Sequence, residues 1–181
     1  MERFGGRTRP HQRAVRDGLY DVMKTAFAAT GTALSDCYRE DRGDGVLVLL
    51  PGEMDKAAFI EAVLPMLVTR LRVHNDKSAE AQQIRLRIAL HAGDVDYDEN
   101  GVMSSSLNLA FRLCDAPPLK DALAASPGVL VVIASDCLFD DVVQSAPGAA
   151  PATWRPVPVE VKETTETGWI SLPDHPYLGR P

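Results

Sequence analysis

The stretch EDRGDGVLVLL, residues 40–50, passes from a charged run through Gly-Asp-Gly into a continuous apolar run. The glycines favour a tight turn and the apolar residues favour a buried strand, so the stretch predicts a β-hairpin. Asp44 lies at the tip of that hairpin. One interpretation is conformational, because Asp-Gly tolerates the positive φ of a hairpin turn. The other is a carboxylate that holds a metal ion at the edge of a sheet.

The composition around this hairpin is that of a globular protein and excludes some partners. The chain has 181 residues, of which 45% are apolar and 24% charged, which suits one domain with a sizeable core. Its net charge of −6 argues against nucleic acid or an anionic membrane as a partner held by bulk charge. No run of 18 apolar residues and no signal-peptide core occur in the sequence, so a cytoplasmic location is expected.

The cysteines and one histidine are expected to be structural. Cys37, Cys114 and Cys137 are odd in number and have no CxxC spacing, so neither a disulfide framework nor a structural zinc site is expected. Each is interpreted as a small buried hydrophobe. His91 has apolar neighbours on a predicted strand, a setting more typical of a hydrogen-bonded core group than of a ligand.

The hydrophobic periodicity on both sides of the hairpin alternates helices with strands. It predicts an amphipathic helix before the hairpin and a second one after it that is interrupted or kinked near Pro65. The predicted helices cover 10–29, 54–74, 104–116, 118–125 and 136–144, and the predicted strands cover 34–40, 45–50, 84–95, 128–135, 154–163 and 167–173.

This order predicts an α+β domain over residues 1–172, with a loose tail over 173–181. The expected architecture is ferredoxin-like, with one antiparallel-rich sheet and helices packed on one face. A strand that should precede the first helix is missing or truncated, since residues 1–9 are too short and too polar for a central strand. Strands next to such a gap would have unpaired N–H and C=O groups, each costing roughly 1–3 kcal/mol if buried.

Three stretches in order resemble the catalytic domain of class III nucleotidyl cyclases. They are RGDGVLVLL (42–50), LRIALHAGDV (86–95) and LNLAFRL (107–113), and the resemblance covers about residues 1–172. More narrowly, the chain resembles the single-domain cyclase-homology proteins of actinomycete-type genomes. The resemblance implies that two aspartates bind two Mg²⁺ or Mn²⁺ ions over a nucleoside triphosphate. The ribose 3′-oxygen then attacks the α-phosphorus and pyrophosphate leaves. It also implies a homodimer, because the family's site lies between two subunits.

The resemblance assigns metal and catalytic roles to three residues. Asp44 matches the second metal aspartate, and Asn108 and Arg112 match the pair that orients the ribose and stabilises the transition state. The i, i+4 spacing of this pair places both residues on one helix face, although a solvated helix edge would give the same pattern.

The resemblance also assigns residues to the recognition of the nucleotide. Phe4 and Gly5 are placed among the substrate-binding residues, and Glu40 and Gly101 occupy the two positions that select the base. A carboxylate at Glu40 resembles the guanylyl cyclase choice, whereas Gly101 has no side chain, so the base stays open.

The first metal aspartate of the family would fall just before Met1, with Glu2 as the nearest acid. A chain start placed too late, a truncated gene and the loss of two-metal chemistry all account for this. The hypothesis is a nucleotide-binding signalling domain with impaired catalysis. The alternatives are an active cyclase, which makes a 3′,5′-cyclic nucleotide, and a non-catalytic dimerisation or interaction module.

Overall fold

The computed structural model describes residues 1–2, 4–99 and 101–176. In this part of the chain, α-helices combine with a four-strand mixed sheet and two small hairpins, which confirms the α+β class. The chain divides into two compact units, Met1–Leu86 and Arg87–Pro181.

The first unit pairs two long helices and carries one hairpin. Buried residues along one face of the first helix pack against the second, where Phe27 and Phe59 make an edge-to-face contact with ring centroids 5.2 Å apart. Pro65 lies inside the second helix, which continues past it instead of being interrupted. The elements of this unit are α1 (Arg9–Ala28), β1 (Tyr38–Asp41), β2 (Val46–Leu49) and α2 (Lys56–Asp76).

The second unit contains the four-strand sheet. Its strands lie in the order β3-β6-β8-β7, with β8 antiparallel to both of its neighbours. Every residue of β6 is buried, as the apolar run predicted. The elements are β3 (Leu86–Leu90, which starts at the last residue of the first unit), β4 (Asp96–Asp98), β5 (Gly101–Met103), α3 (Ser105–Asp115), α4 (Pro117–Ala125), β6 (Leu130–Ser135), α5 (Asp136–Leu138, continued by a wider helical turn Phe139–Val143), β7 (Arg155–Val161) and β8 (Thr164–Ser171).

Helices contact both faces of this sheet, whereas the sequence predicted helices on one face. Leu113 of α3 and Leu119 of α4 share a buried cluster with Ile133 and Ile170. Trp169 directly precedes Ile170 on β8. Its side chain therefore lies on the opposite face of the sheet from Ile170, because side chains alternate along a strand. There its ring stacks on Phe139 with centroids 3.7 Å apart. The short helix after β6 therefore covers the face that α3 and α4 leave open.

The strands form three separate sheets among the described residues, whereas one sheet was predicted. β1 pairs only with β2, and β4 pairs only with β5. Residues 1–2 and 4–8, the described stretch ahead of α1, form one short 3₁₀ turn and no strand. The first hairpin therefore has no third strand in the described part of the chain.

Two boundaries at the C-terminal end differ from the prediction. The β7–β8 turn lies at Lys162 and Glu163 and not in the Thr-rich segment that follows, because threonine favours extended structure. The predicted tail begins as an anchored segment, since the Val129 N–H donates to Asp174 Oδ2 at 2.8 Å. Residues 177–181 lie outside the described part. None of the described helices combines the length and apolarity needed to cross a bilayer.

Candidate functional site

The turn of the β1–β2 hairpin presents Asp44 to solvent. Gly43 has a φ of +82°, and the Arg42 N–H donates to the Gly45 carbonyl at 2.8 Å, which closes the turn. The Asp44 carbonyl accepts a hydrogen bond of 2.6 Å from the amine of Met1. Its carboxylate is exposed and makes no hydrogen bond or ion pair with the described residues. The carboxylate oxygens are therefore accessible to a cation.

The acid that fastens the hairpin is Asp41, which the sequence analysis missed. Its Oδ2 accepts hydrogen bonds from Arg16 Nε at 2.8 Å and Tyr20 Oη at 2.7 Å, and its Oδ1 accepts the Gly43 N–H at 2.8 Å. Burial alone would raise the pKa of Asp41, but these hydrogen bonds outweigh it and lower the pKa. The available signal was an aspartate two residues before a turn glycine, a typical local side chain-to-backbone bond.

Glu40, the predicted base-reading residue, already has partners on the hairpin. One carboxylate oxygen accepts the Tyr38 hydroxyl and the other pairs with the Arg42 guanidinium. To accept hydrogen bonds from guanine, Glu40 would have to exchange these donors for those of the base.

Gly101, the other base-reading position, is explained by its backbone. Its φ of +129° is a conformation that residues with side chains rarely adopt. The β4–β5 hairpin therefore favours glycine there independently of any ligand.

The N-terminal residues pack within the first unit. Phe4 is half-buried and Gly5 is exposed, both in one 3₁₀ turn, and the Gln12 amide donates to the Phe4 carbonyl at 3.4 Å. The Glu2 N–H donates to the Arg85 carbonyl at 3.1 Å, and the two side chains form an ion pair at 2.9 Å. Glu2 is the nearest acid to the missing metal aspartate, and its charge is already compensated by Arg85.

Asn108 and Arg112 lie one turn apart on α3, which the Ser104 side chain caps by accepting the Ser106 N–H at 2.9 Å. Asn108 is exposed. The Arg112 side chain is only 22% exposed, and its guanidinium donates to Glu163 and Thr164 at the tip of β7–β8. Arg112 therefore needs to leave this contact before it can bind a phosphate.

The structure groups the predicted residues into two pairs. Glu40 and Asp44 share one hairpin of the first unit, whereas Asn108 and Arg112 share one helix of the second. Among the described residues, no three or more His, Cys, Asp or Glu side chains form a group that could hold a metal ion.

The cysteines and His91 have three different settings. Cys37 is buried and Cys114 half-buried, and burial raises the pKa of both thiols. Cys137 is exposed, which corrects the expectation that each cysteine is buried. His91 has the hydrogen-bonded setting expected of it, since its Nδ1 lies 2.8 Å from the Oγ of buried Ser135.

Comparison with protein-family models, curated proteins and solved structures finds no match to this chain.

Proposed function

We propose that this chain is a class III nucleotidyl cyclase-like domain that binds a nucleoside triphosphate with Mg²⁺ or Mn²⁺ and serves signalling, with little or no cyclisation. The proposal includes the ferredoxin-like cyclase fold and assembly as a homodimer. The observation that carries it is the exposed Asp44 carboxylate, which has no protein partner among the described residues although its turn is well ordered by hydrogen bonds.

The chemistry of the Asp44 carboxylate suits a hard divalent cation. Mg²⁺ takes oxygen ligands and is commonly held by one or two carboxylates together with the phosphates of its nucleotide. Asp41 restrains the turn from one side through Gly43, and the Arg42–Gly45 hydrogen bond restrains it from the other. One carboxylate thus adds to a cation that the triphosphate already holds, so weak binding is expected.

The α3 pair supplies a donor for phosphate. An arginine guanidinium recognises phosphate oxygens with several N–H groups at once. Arg112 now contacts Glu163, whose side chain is 72% exposed, so Glu163 can turn into solvent and release it. A bound triphosphate would compete with Glu163 for the same cation.

Low turnover is expected because the proposal places one carboxylate of the described residues, Asp44, on a metal ion. Cyclisation in the family requires one metal ion to activate the 3′-oxygen and a second to hold the triphosphate. Loss of a metal-binding carboxylate reduces stabilisation of the transition state more than binding of the ground state. Glu2 is paired with Arg85 and so gives no free replacement.

Calorimetry with each of the four common nucleoside triphosphates and Mn²⁺ tests the proposal. Asp44→Asn and Arg112→Ala should each weaken binding, whereas Asp21→Asn, which changes an exposed acid on α1, should leave it unchanged. Absence of binding to all four nucleotides would refute the proposal. Rapid formation of cyclic product, measured by chromatography, would show instead that another acid completes the metal site.

A dimerisation module is a second candidate, favoured by the β4–β5 hairpin. Tyr97 on one face of this hairpin and Met103 on the other are 64% and 68% exposed, so each face offers one large side chain to a second copy of the chain. Sedimentation at micromolar concentration should show a homodimer. A dimer that binds no nucleotide would support this candidate, and a monomer would contradict it.

A further inference from the structure

Three side chains with reactive polar atoms meet where β6 ends. Ser135 Oγ lies 2.8 Å from His91 Nδ1 and 3.3 Å from Cys137 Sγ, and the sulfur lies 3.9 Å from the same Nδ1. All three residues belong to the second unit, and none of them has a place in the proposed nucleotide site. This Cys–Ser–His cluster therefore needs a separate explanation.

The cluster combines an exposed thiol with a fixed hydroxyl. Cys137 is exposed, whereas Ser135 is only 3% exposed. Ser135 caps the helix that follows it, because its Oγ accepts the Leu138 N–H at 3.4 Å. The hydroxyl is therefore held between the sulfur and the imidazole while the sulfur itself stays open to a small molecule.

The charges around the cluster favour a neutral imidazole. Burial lowers the pKa of His91, and Glu166 on β8 opposes this only in part. The adjacent acid Asp136 accepts the Trp169 Nε1–H at 2.7 Å through Oδ1. A neutral imidazole with Nδ1 directed to a hydroxyl can accept a proton, which is the role of a general base.

We propose that Cys137 is a site of oxidation by small hydroperoxides, with Ser135 relaying the thiol proton to His91. The thiol donates to Ser135 Oγ while the Ser135 hydroxyl donates to His91 Nδ1. Such base-assisted activation of an exposed cysteine is a recognised source of selective thiol reactivity.

The reaction balances with hydrogen peroxide as the oxidant. The Cys137 sulfur attacks one peroxide oxygen, so that an S–O bond forms and the O–O bond breaks. The thiol proton passes through Ser135 to His91 and from His91 to the departing hydroxide. The sulfur is oxidised to sulfenic acid and the peroxide is reduced to water.

The other two cysteines provide internal controls. Cys37 is buried and Cys114 half-buried, and the raised pKa of each thiol keeps it protonated at neutral pH. Neither shares the contacts of the Cys–Ser–His cluster. Oxidation at low peroxide should therefore select Cys137 from three thiols in one folded chain.

The experiment treats the folded full chain with hydrogen peroxide and dimedone, and then locates the adduct by peptide mass spectrometry. An adduct on Cys137 is expected, with little on Cys37 or Cys114 until the chain is unfolded in urea. Equal labelling of all three cysteines in the folded chain, or no adduct at all, would overturn the proposal.

His91→Gln tests the base, because glutamine keeps a polar contact to Ser135 but cannot take up the proton. Its adduct should form at least about tenfold more slowly near pH 7, with the difference shrinking as pH rises towards about 9, where hydroxide can remove the thiol proton without His91. Circular dichroism checks that the variant is folded. A rate equal to wild type across this pH range would remove His91 from the mechanism and the proposal with it.

Discussion

The hairpins β1–β2 and β7–β8 have similar tips and different surroundings. Each is antiparallel and turns at a residue with positive φ, Gly43 in the first and Lys162 in the second. β8 continues into the four-strand sheet through β6, whereas β1 and β2 pair only with each other. A two-stranded hairpin alone is marginally stable in water, so the contacts beyond the strands decide how stable each hairpin is.

Those contacts are apolar in one hairpin and polar in the other. Val159 and Ile170 of β7–β8 are at most 1% exposed and join the cluster built by α3 and α4. The residues of β2 are only half-buried, and β1 is fastened to α1 through Asp41. The hairpin that carries Asp44 is therefore expected to open more easily than β7–β8.

The two hairpins also differ in how readily an edge strand could pair with a further strand. β7 is an edge strand that carries Pro156 and Pro158, and prolines discourage a further strand from pairing there. β2 consists of Val-Leu-Val-Leu and carries no proline, so its sequence does not discourage a further strand from pairing. The sequence of β7 therefore discourages pairing along its edge, whereas the sequence of β2 does not.

The largest expected effect is in the apolar hairpin. Ile170→Ala should lower the free energy of unfolding by about 2–5 kcal/mol, because the cavity would lie inside a packed cluster. Urea unfolding followed by circular dichroism measures the change. Ile170→Val is the matched control, with an expected loss of about 0.5–1.5 kcal/mol. A loss below that of the valine variant would contradict the apolar origin of this hairpin's stability.

A smaller loss is expected in the polar hairpin. Asp41→Asn should lower the free energy of opening the β1–β2 hairpin by about 1–2 kcal/mol, because it weakens charged hydrogen bonds that solvent partly screens. Faster hydrogen exchange across β1 and β2 is the measurement. Asp44→Asn, three residues along the same turn, should leave exchange unchanged. Equal effects of the two variants would show that Asp41 is not the anchor.

The hydrogen bonds of the Asp41 carboxylate should make the stability of β1–β2 depend on pH in the acid range. The pKa of Asp41 is lower in the folded chain than in the unfolded one, so its stabilisation is complete above the unfolded pKa of about 3.9. It disappears as pH falls through the folded pKa. Exchange in β1–β2 should therefore rise below about pH 4 in wild type and change less in Asp41→Asn.

A side chain at Gly43, in the turn of β1–β2, should lower the stability of the chain. Gly43→Ala should lower the free energy of unfolding by about 1–2 kcal/mol, because alanine is strained at a φ of +82°. Open space surrounds the position, so a steric clash would not contribute to the loss. Thermal unfolding measures the loss, and Gly52→Ala, where φ is not positive and space is open, is the control. An unchanged midpoint in Gly43→Ala would show that the turn rearranges freely.

The smallest effect, of opposite sign, is expected at the second turn. Lys162 has a φ of +54°, and Lys162→Gly should relieve that strain and stabilise the chain by a few tenths of a kcal/mol up to about 1 kcal/mol. A raised midpoint in thermal unfolding is the readout. A lowered midpoint would mean that the lysine side chain contributes more than its backbone strain costs.

Local patterns of the sequence predicted most elements because their signals act over a few residues. The amphipathic period gave α1, the Gly-Asp-Gly turn gave β1–β2, and the apolar run gave β6 as a buried strand. The β7–β8 turn was misplaced because it contains no glycine, proline or asparagine to mark it.

By itself, the sequence determined the α+β class and the order of most elements, because turn chemistry and periodicity are properties of neighbouring residues. The candidate nucleotide positions came only from the resemblance to class III nucleotidyl cyclases and stay predictions. Only the tertiary structure decided which side chains are engaged. It placed Asp41 on Arg16, Arg112 on Glu163 and Cys137 in a polar cluster. Such pairings join residues far apart in the chain, and no local pattern encodes which distant donor will meet which acceptor.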